Sequence, residues 1–600
     1  MVDSREEFLR NYATELDYLR RAGAEFSERY PKVAQRLGMS DAGASDPHTL
    51  RLIESFAFLT AKLQRRIDAE LPELSASLLG LLYPHFTSPI PTMAIGSFEL
   101  DPALGLAEPV KVPAGAQTFA RAESGEDAFF RVAYPMTLWP IDTSDIRLDR
   151  NPEMLNLPSE AVGTSAVIRI GLEAHDATFR DLNVDSLRFY IHGDALAANQ
   201  VLEAVFTRTL HVAVRDELGR IRMLPKGCLR EVGFGDDEAV LPTASHSLPG
   251  YRMLQEYFAF PEQFRFIEVA DLGGLCDGTM CELLFLLESP GDIKIGPETF
   301  RLGCAPIINL YERMSDPLQL HQESAEYHLV GDSRRSRSTE IHSILEMLSA
   351  EPGDAAASTY APYYAMRYSS DPSEASSAFW HMRREPATRK GVSGTECYVS
   401  FMDTAFNPTT PAATTIYARC LMTNRDVAER VSVGARLSFE DGYPVRAAMV
   451  LTKPTPQLDP PLGGPSLWRL VSHLALNQLS LTNDKEGVHS LRALLMLYQT
   501  TNDLRTDNEI NGIHSMSTRP VVRRLGNDAW RGFCRGLEVT LTFDERFYVG
   551  SSAFALAMVL NRFLSLHASV NSFTQLVIRS SKRKGVWYQW EPMSGQRAVL

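Results

Sequence analysis

The chain has 600 residues and a mass of 66.9 kDa, more than one core can serve, since single hydrophobic cores stop growing at about 250–300 residues. With 60 Lys and Arg against 74 Asp and Glu, the formal net charge of -14 opposes general attraction to phosphate backbones and anionic membranes and argues against nucleic acid as a partner. No stretch reaches the roughly 18 continuous apolar residues of a membrane helix, and seven scattered cysteines, an odd number, form no disulfide framework, so a cytoplasmic chain without membrane insertion is expected.

The predicted elements begin with helices. Ser4 followed by Glu7 matches a capping box, and Phe8, Tyr12, Leu16, Leu19, Phe26 and Tyr30 recur near helical spacing until Pro31. Asp46 and Pro47 are suited to cap and start a second helix, whose apolar stripe is Leu52, Phe56, Leu59, Leu63 and Ile67. A third, shorter helix is expected from Glu73 to Tyr83, ended by Pro84. Pro89 and Pro91 then hold the chain extended, so the stretch LLGLLYPHFTSPIPTMAIGSFEL reads as a stiff joint that fixes the angle between a helical module and a β-rich body.

From Met93 to about Ser315 the signal turns to strands: MAIGSFEL, DAFFRVAYPMTLW, SAVIRIGLEAH, SLRFYIHG and RTLHVAVRDE, interrupted by one helix near Ala195 to Phe206. Beyond it, EYHLVGD, ECYVSFMD, TTIYARCLM and VSVGARLSF read as strands and STEIHSILEML as a helix, while 350–358 and 369–377 read as loops. The run KPTPQLDPPLGGP excludes regular structure and opens a last subdomain: helices SLWRLVSHLALNQLSL and SLRALLMLYQ, strand LEVTLTF, helix SSAFALAMVLNRFLSLH, and a hairpin of FTQLVIRS and VWYQW across KRKG. In that subdomain Ala555, Val559, Phe563 and Leu566 are expected to pack on Val539 and Leu541. The whole is an α+β multidomain chain with a helical module at 1–90, a β-rich domain at 91–315, a mixed β-rich region with loops at 316–460, and an α+β subdomain at 461–600.

Common enzyme signatures are missing: there is no GxxxxGK[ST], HExxH, GxSxG or GxGxxG. Cys276 and Cys281 in CDGTMC are spaced to seat two thiolates on a metal, but no second pair with ligand spacing exists, so they read as ordinary cysteines. His85 and His48 have no identifiable orienting carboxylate and read as packing and surface residues. The basic clusters Arg334, Arg335 and Arg337, and Lys582, Arg583 and Lys584, read first as solvated turns and second as contacts for an acidic protein. The aromatic stripe Phe8, Tyr12, Phe26, Phe56 and Phe58 serves either an internal three-helix core or a face kept for another chain's helices. No catalytic residue, cofactor or metal site is assigned.

NYATELDYLRRAGAEFSERYPKVAQRLG and DPHTLRLIESFAFLTAKLQRRIDAELPELSASLLGLLYPHFTSPIPTMAIGSFEL, together with EYFAFPEQFRFIEV, PIINLYER, SLWRLVSHLALNQLSL and SVNSFTQL, resemble the TssF (ImpG, VasA) family of type VI secretion baseplate subunits over nearly the whole chain. The resemblance implies a structural role without an active site. Two copies would pair with one TssG as a wedge that binds TssK and TssE, and wedges would surround the VgrG hub at the inner-membrane-associated apparatus and template sheath and tube. N-terminal helices of both copies and of TssG would share a bundle, and Tyr12, Leu16, Leu19, Leu52, Phe56, Leu59 and Leu63 are the expected interface. The competing readings are a β-rich carbohydrate- or peptide-binding protein, to be marked by an aromatic-lined groove, and an enzyme whose site converges only in three dimensions.

Overall fold

The computed structural model describes residues 4–36, 39–40, 43–44, 48, 50–62, 79–80, 83–101, 108–242, 249–321, 324–350, 358–363, 378–403, 415–462, 487–499, 504–524, 533–566, 568 and 572–594. It is an α+β protein with a large β-rich body and fewer helices, and it divides into two units: Met1–Leu81 with Pro461–Ser472, and Leu82–Pro460 with His473–Leu600.

In the first unit a helix runs Ser4–Arg29 and is broken at Tyr30, as Pro31 requires, before a short helix Pro31–Arg36. A two-residue hairpin, Met39–Ser40 with Gly43–Ala44, precedes the helix over 50–62. Of the expected third helix, 79–80 are helical and Tyr83 is not. Asp46, Pro47, Leu63, Ile67 and the expected helix 466–481 lie outside the described residues, as do the side chains of Ser4, Glu7 and Phe8.

The second unit is built on sheets. A six-stranded antiparallel sheet runs Leu437–Phe439, Gln117–Arg121, Asp127–Val132, Cys304–Ile308, Met93–Leu100, Val445–Val450. Met93 and Ile95 point into one cluster with Tyr190 and Phe266, whereas Ala94 and Phe98 point into another with Phe130 and Ile307. Burial on both faces explains why MAIGSF is continuously apolar instead of alternating. Pro84–Phe86 forms a 3-10 turn, and Ile90 bridges to Leu458, so the proline-rich run at 453–460 lies along this sheet's end, with Thr455 N–H donating to Met93 O at 2.9 Å. A five-stranded antiparallel sheet has the order Ile221–Met223, Thr209–Asp216, Met280–Leu287, Ala166–Ala174, Ile141–Asp149, and Ala195–Thr207 supplies the expected helix.

Three expectations are corrected. Besides Ala195–Thr207, the short helix Phe179–Leu182 and the helix Pro249–Ala259 interrupt the strand series. VSVGARLSF contributes only Leu437–Phe439 as strand. The larger correction is STEIHSILEML, which is not helical: Glu340–Ala350 is a long strand antiparallel to Thr415–Thr423. Two bulges, between Ile341 and Ser343 and between Ile344 and Glu346, each insert one residue. Ile341, Ile344 and Met347 therefore stand opposite Met422, Cys420 and Ala418, all turned into one core. Inward residues three apart imitate a helical period on a strand.

The C-terminal strands have the order Ile513–Arg524, Phe533–Phe543, Ser572–Ser580, Tyr588–Gln589. Phe533–Phe543 and Ser572–Ser580 are parallel, so a crossover must join them, and the helix Ala553–Ser565 is that crossover. The hairpin across KRKG is present, pairing Val577 with Gln589. Ala555, Val559 and Phe563 are buried, as are Val539 and Leu541 on the preceding strand, and Leu566 is half-buried. Every residue of the crossover helix except Arg562 is buried, because the helix is covered on its far side as well. Phe554 stacks on Phe206, and Phe563 meets Tyr251.

Candidate partner interface

Helix 50–62 has two apolar faces of different size. Ile53, Ala57 and Ala61, spaced by four, turn inward, and both alanines are fully buried. Leu52, Phe56 and Leu59, spaced by four and three, turn outward and are 71%, 60% and 56% exposed. A small-residue face allows close packing inside the unit, while the bulky face stays in water. Burying one such side chain is worth roughly 1.5–3 kcal/mol, and contiguous apolar surface of this kind marks an interaction site.

Of the remaining stripe, Tyr12, Leu16 and Leu19 are half-buried on the first helix, and Leu63 lies outside the described residues. The helix also shows Tyr18, 67% exposed, and Phe26, whose ring lies 5.4 Å from that of Tyr30. Tyr18 is absent from the predicted stripe because its spacing from Leu16 and Leu19 puts it off that face, so periodicity gave no signal for it.

The polar candidates are engaged in structure. His48 is exposed. His85 is partly exposed as a residue, yet both ring nitrogens are shut off from solvent without a hydrogen-bond partner; the ring packs 4.3 Å from Phe86. Burial pushes its pKa down to about 3, so the imidazole is neutral, and no carboxylate among the described residues orients it. Arg583 pairs with Glu203 at 2.7 Å and Glu545 at 3.2 Å and lies over Trp587, which makes SKRKG an intramolecular clasp. In DSRRSRS, Asp332 Oδ1 accepts the N–H groups of Arg334 and Arg335, a turn with the arginines outside.

Two buried carboxylates were not singled out from sequence. Glu256 accepts from Val240 N–H, Leu241 N–H and Gln263 Nε2, with Arg252 at 3.4 Å; burial pushes its pKa up. Glu340 accepts from Thr395 N–H at 2.9 Å and Gln457 Nε2 at 2.7 Å and faces Arg384 at 3.6 Å and Arg425 at 3.7 Å. The guanidiniums in turn donate to Ile341 O, His342 O, Thr339 O and Thr395 O. Both carboxylates are fully occupied in tying segments together, as a buried charge must be to persist. Among the described residues no three His, Cys, Asp or Glu side chains are placed to hold a metal, and no helix is long and apolar enough to cross a membrane. One cavity in the body is lined by Leu172, Phe179, Cys276 and Cys281 and another by Asp332, Glu340, Arg389 and Arg425; Phe179 is the single phenyl ring in these two linings.

A family model described as "Type VI secretion system, TssF" matches residues 4–597. The chain is 34% identical over 622 aligned positions to the type VI secretion system component TssF1 of Pseudomonas aeruginosa, covering 99% of each. Among solved structures it is similar to a chain of the cryo-electron microscopy structure of the type VI secretion system TssK-TssF-TssG baseplate subcomplex, with a TM-score of 0.73 at 22% identity over 92% of this chain and 99% of that one. It is also similar to a chain of the baseplate complex from the type VI secretion system, with a TM-score of 0.58 at 22% identity over 99% and 100%. At such identity the structural likeness concerns the fold.

Proposed function

The chain belongs to the TssF family of the type VI secretion system, and on that premise we propose that it is a structural wedge subunit of the secretion baseplate and not an enzyme. Two copies join one TssG, the wedge takes up TssK and TssE, and the assembled ring surrounds the VgrG hub on the cytoplasmic side of the apparatus, where it templates sheath and tube. The observation that carries this reading is the outward face of Leu52, Phe56 and Leu59 on a helix whose small-residue face is already used. The helices within residues 1–90 enter a bundle with TssG and the second copy, with Tyr12, Leu16, Leu19 and Leu63 extending the interface. A stable interface of this class removes about 1,200–2,000 Å² in total, with aromatic residues such as Phe56 as anchors.

Two further observations favour assembly over chemistry. Glu256 and Glu340 are spent on backbone N–H groups and guanidiniums, and His85 has no acid to work with among the described residues. The test is co-expression of the full chain with TssG, purification through TssG alone, and a native mass. A mass of two chains per TssG is expected; a chain that fails to co-purify would overturn the reading.

A further inference from the structure

The motif CDGTMC is left unused by the assembly role, and its two thiols line the same cavity. Cys281 lies on the central strand Met280–Leu287, opposite Asp216 on one side and Leu172 on the other. Cys276 is in the loop 271–279 that leads into that strand. The loop is clamped at both ends: Leu272 N–H donates to Asp185 O at 2.9 Å and Arg222 Nη1 to Gly274 O at 3.0 Å, while Thr279 N–H and Met280 N–H donate to Glu217 Oε1 at 2.7 and 2.6 Å. Gly278 lets the return pass close to that carboxylate, since a Cβ there would meet the Glu217 carboxyl carbon at 2.5 Å. Held in this way, Cys276 and Cys281 line one small cavity with Leu172, Phe179, Val214 and Leu283, each cysteine only 7% exposed.

The other thiols are placed differently. Cys304, Cys397, Cys420 and Cys534 give their S–H to backbone carbonyls. A metal is disfavoured because no third ligand is at hand among the described residues. Two thiols that border one small cavity, one on a strand and one on a clamped loop, share the space in which an S–S bond of about 2.05 Å would form.

We propose that Cys276 and Cys281 are a redox-modified pair that closes an intramolecular disulfide when a low-molecular-weight disulfide oxidises the protein. The Cys276 thiolate attacks one sulfur of the oxidant, forming a mixed disulfide and expelling the first small thiolate. Cys281 gives up its proton and attacks the Cys276 sulfur, expelling the second. The protein loses two hydrogens, and the oxidant is reduced to two thiols. Cys276 attacks first because it lies in the loop, whereas Cys281 is held in the central strand between two paired neighbours.

The test uses the full-length protein incubated with oxidised glutathione, denatured, alkylated and mapped by mass spectrometry. The expected result is a single disulfide linking Cys276 to Cys281 with the other five of the seven cysteines alkylated, together with a persistent glutathione adduct on Cys276 in Cys281→Ser. Complete alkylation of both residues in the wild type after oxidation, or a disulfide between other cysteines, overturns the proposal without recourse to any variant. It leaves the baseplate reading untouched, since that rests on other residues.

Discussion

Tyr251 and Phe563 meet edge to face, with ring centroids 5.6 Å apart and planes at 70°, which joins the helix Pro249–Ala259 to the crossover helix Ala553–Ser565. Beside them Gly250 lets the two helices approach, because a Cβ there would run into Leu566 Cδ1. The C-terminal helix is thus packed by residues far outside 461–600, and its stability is a property of the whole chain. Phe563→Ala should cost about 3–5 kcal/mol as a large-to-small core change, and Gly250→Ala should cost less than that, since Leu566 Cδ1 is the end of a half-buried side chain that can turn aside. Urea denaturation of the full chain checks both; unchanged midpoints would mean that the helices do not meet in this way.

Glu340 is the shared anion of Arg384 and Arg425, and Gly394, at φ +89°, passes so close that a Cβ would meet its carboxylate. Removing one member of a buried ionic cluster leaves uncompensated charge, typically worth about 3–5 kcal/mol. Glu340→Ala should therefore destabilise the protein by about that amount, and Gly394→Ala should do so through both strain and contact. If Glu340→Ala melts with the wild type, the cluster is not closed as described.

Acid should weaken the fold partly through two histidines. Burial holds His85 at about 3, and it holds His342, beside Arg384 and Arg131, at about 3 as well. Unfolded imidazole takes up its proton near 6.5, so each histidine contributes stability that is fully present above about 6.5 and lost as pH falls towards 3. Between those values the slope is about 1.4 kcal/mol per pH unit for each. Chemical denaturation at pH 7, 6 and 5 should show a shallower dependence in His85→Phe than in the wild type; identical slopes would contradict the burial of its ring nitrogens.

How legible these features were depended on whether one local signal dominated. LEVTLTF alternates cleanly and is a strand facing one core, whereas STEIHSILEML carried the wrong period because two bulges shift its register. The helix at 249–259 was disguised by its own start. A Pro–Gly pair such as Pro249–Gly250 commonly marks a turn, although proline suits a first helical position and the glycine leaves room for Leu566. For helix 50–62 the sequence contained both apolar faces, Ile53–Ala57–Ala61 and Leu52–Phe56–Leu59, and periodicity alone does not say which one the chain keeps for itself. The buried cluster of Glu340, Arg384 and Arg425 left no local trace, since its members come from three strands or turns whose pairing is long-range.

The central claim is that the outward face of helix 50–62 joins the chain to TssG. The direct measurement is the native mass of the TssG complex formed by the full chain carrying Leu52→Asp, Phe56→Asp and Leu59→Asp together, beside the wild type. Because all three side chains are exposed in the single chain, the variant should keep the wild-type melting temperature and lose the complex, leaving TssG without its partner. A triple variant that still forms the wild-type complex in full stoichiometry would contradict the account.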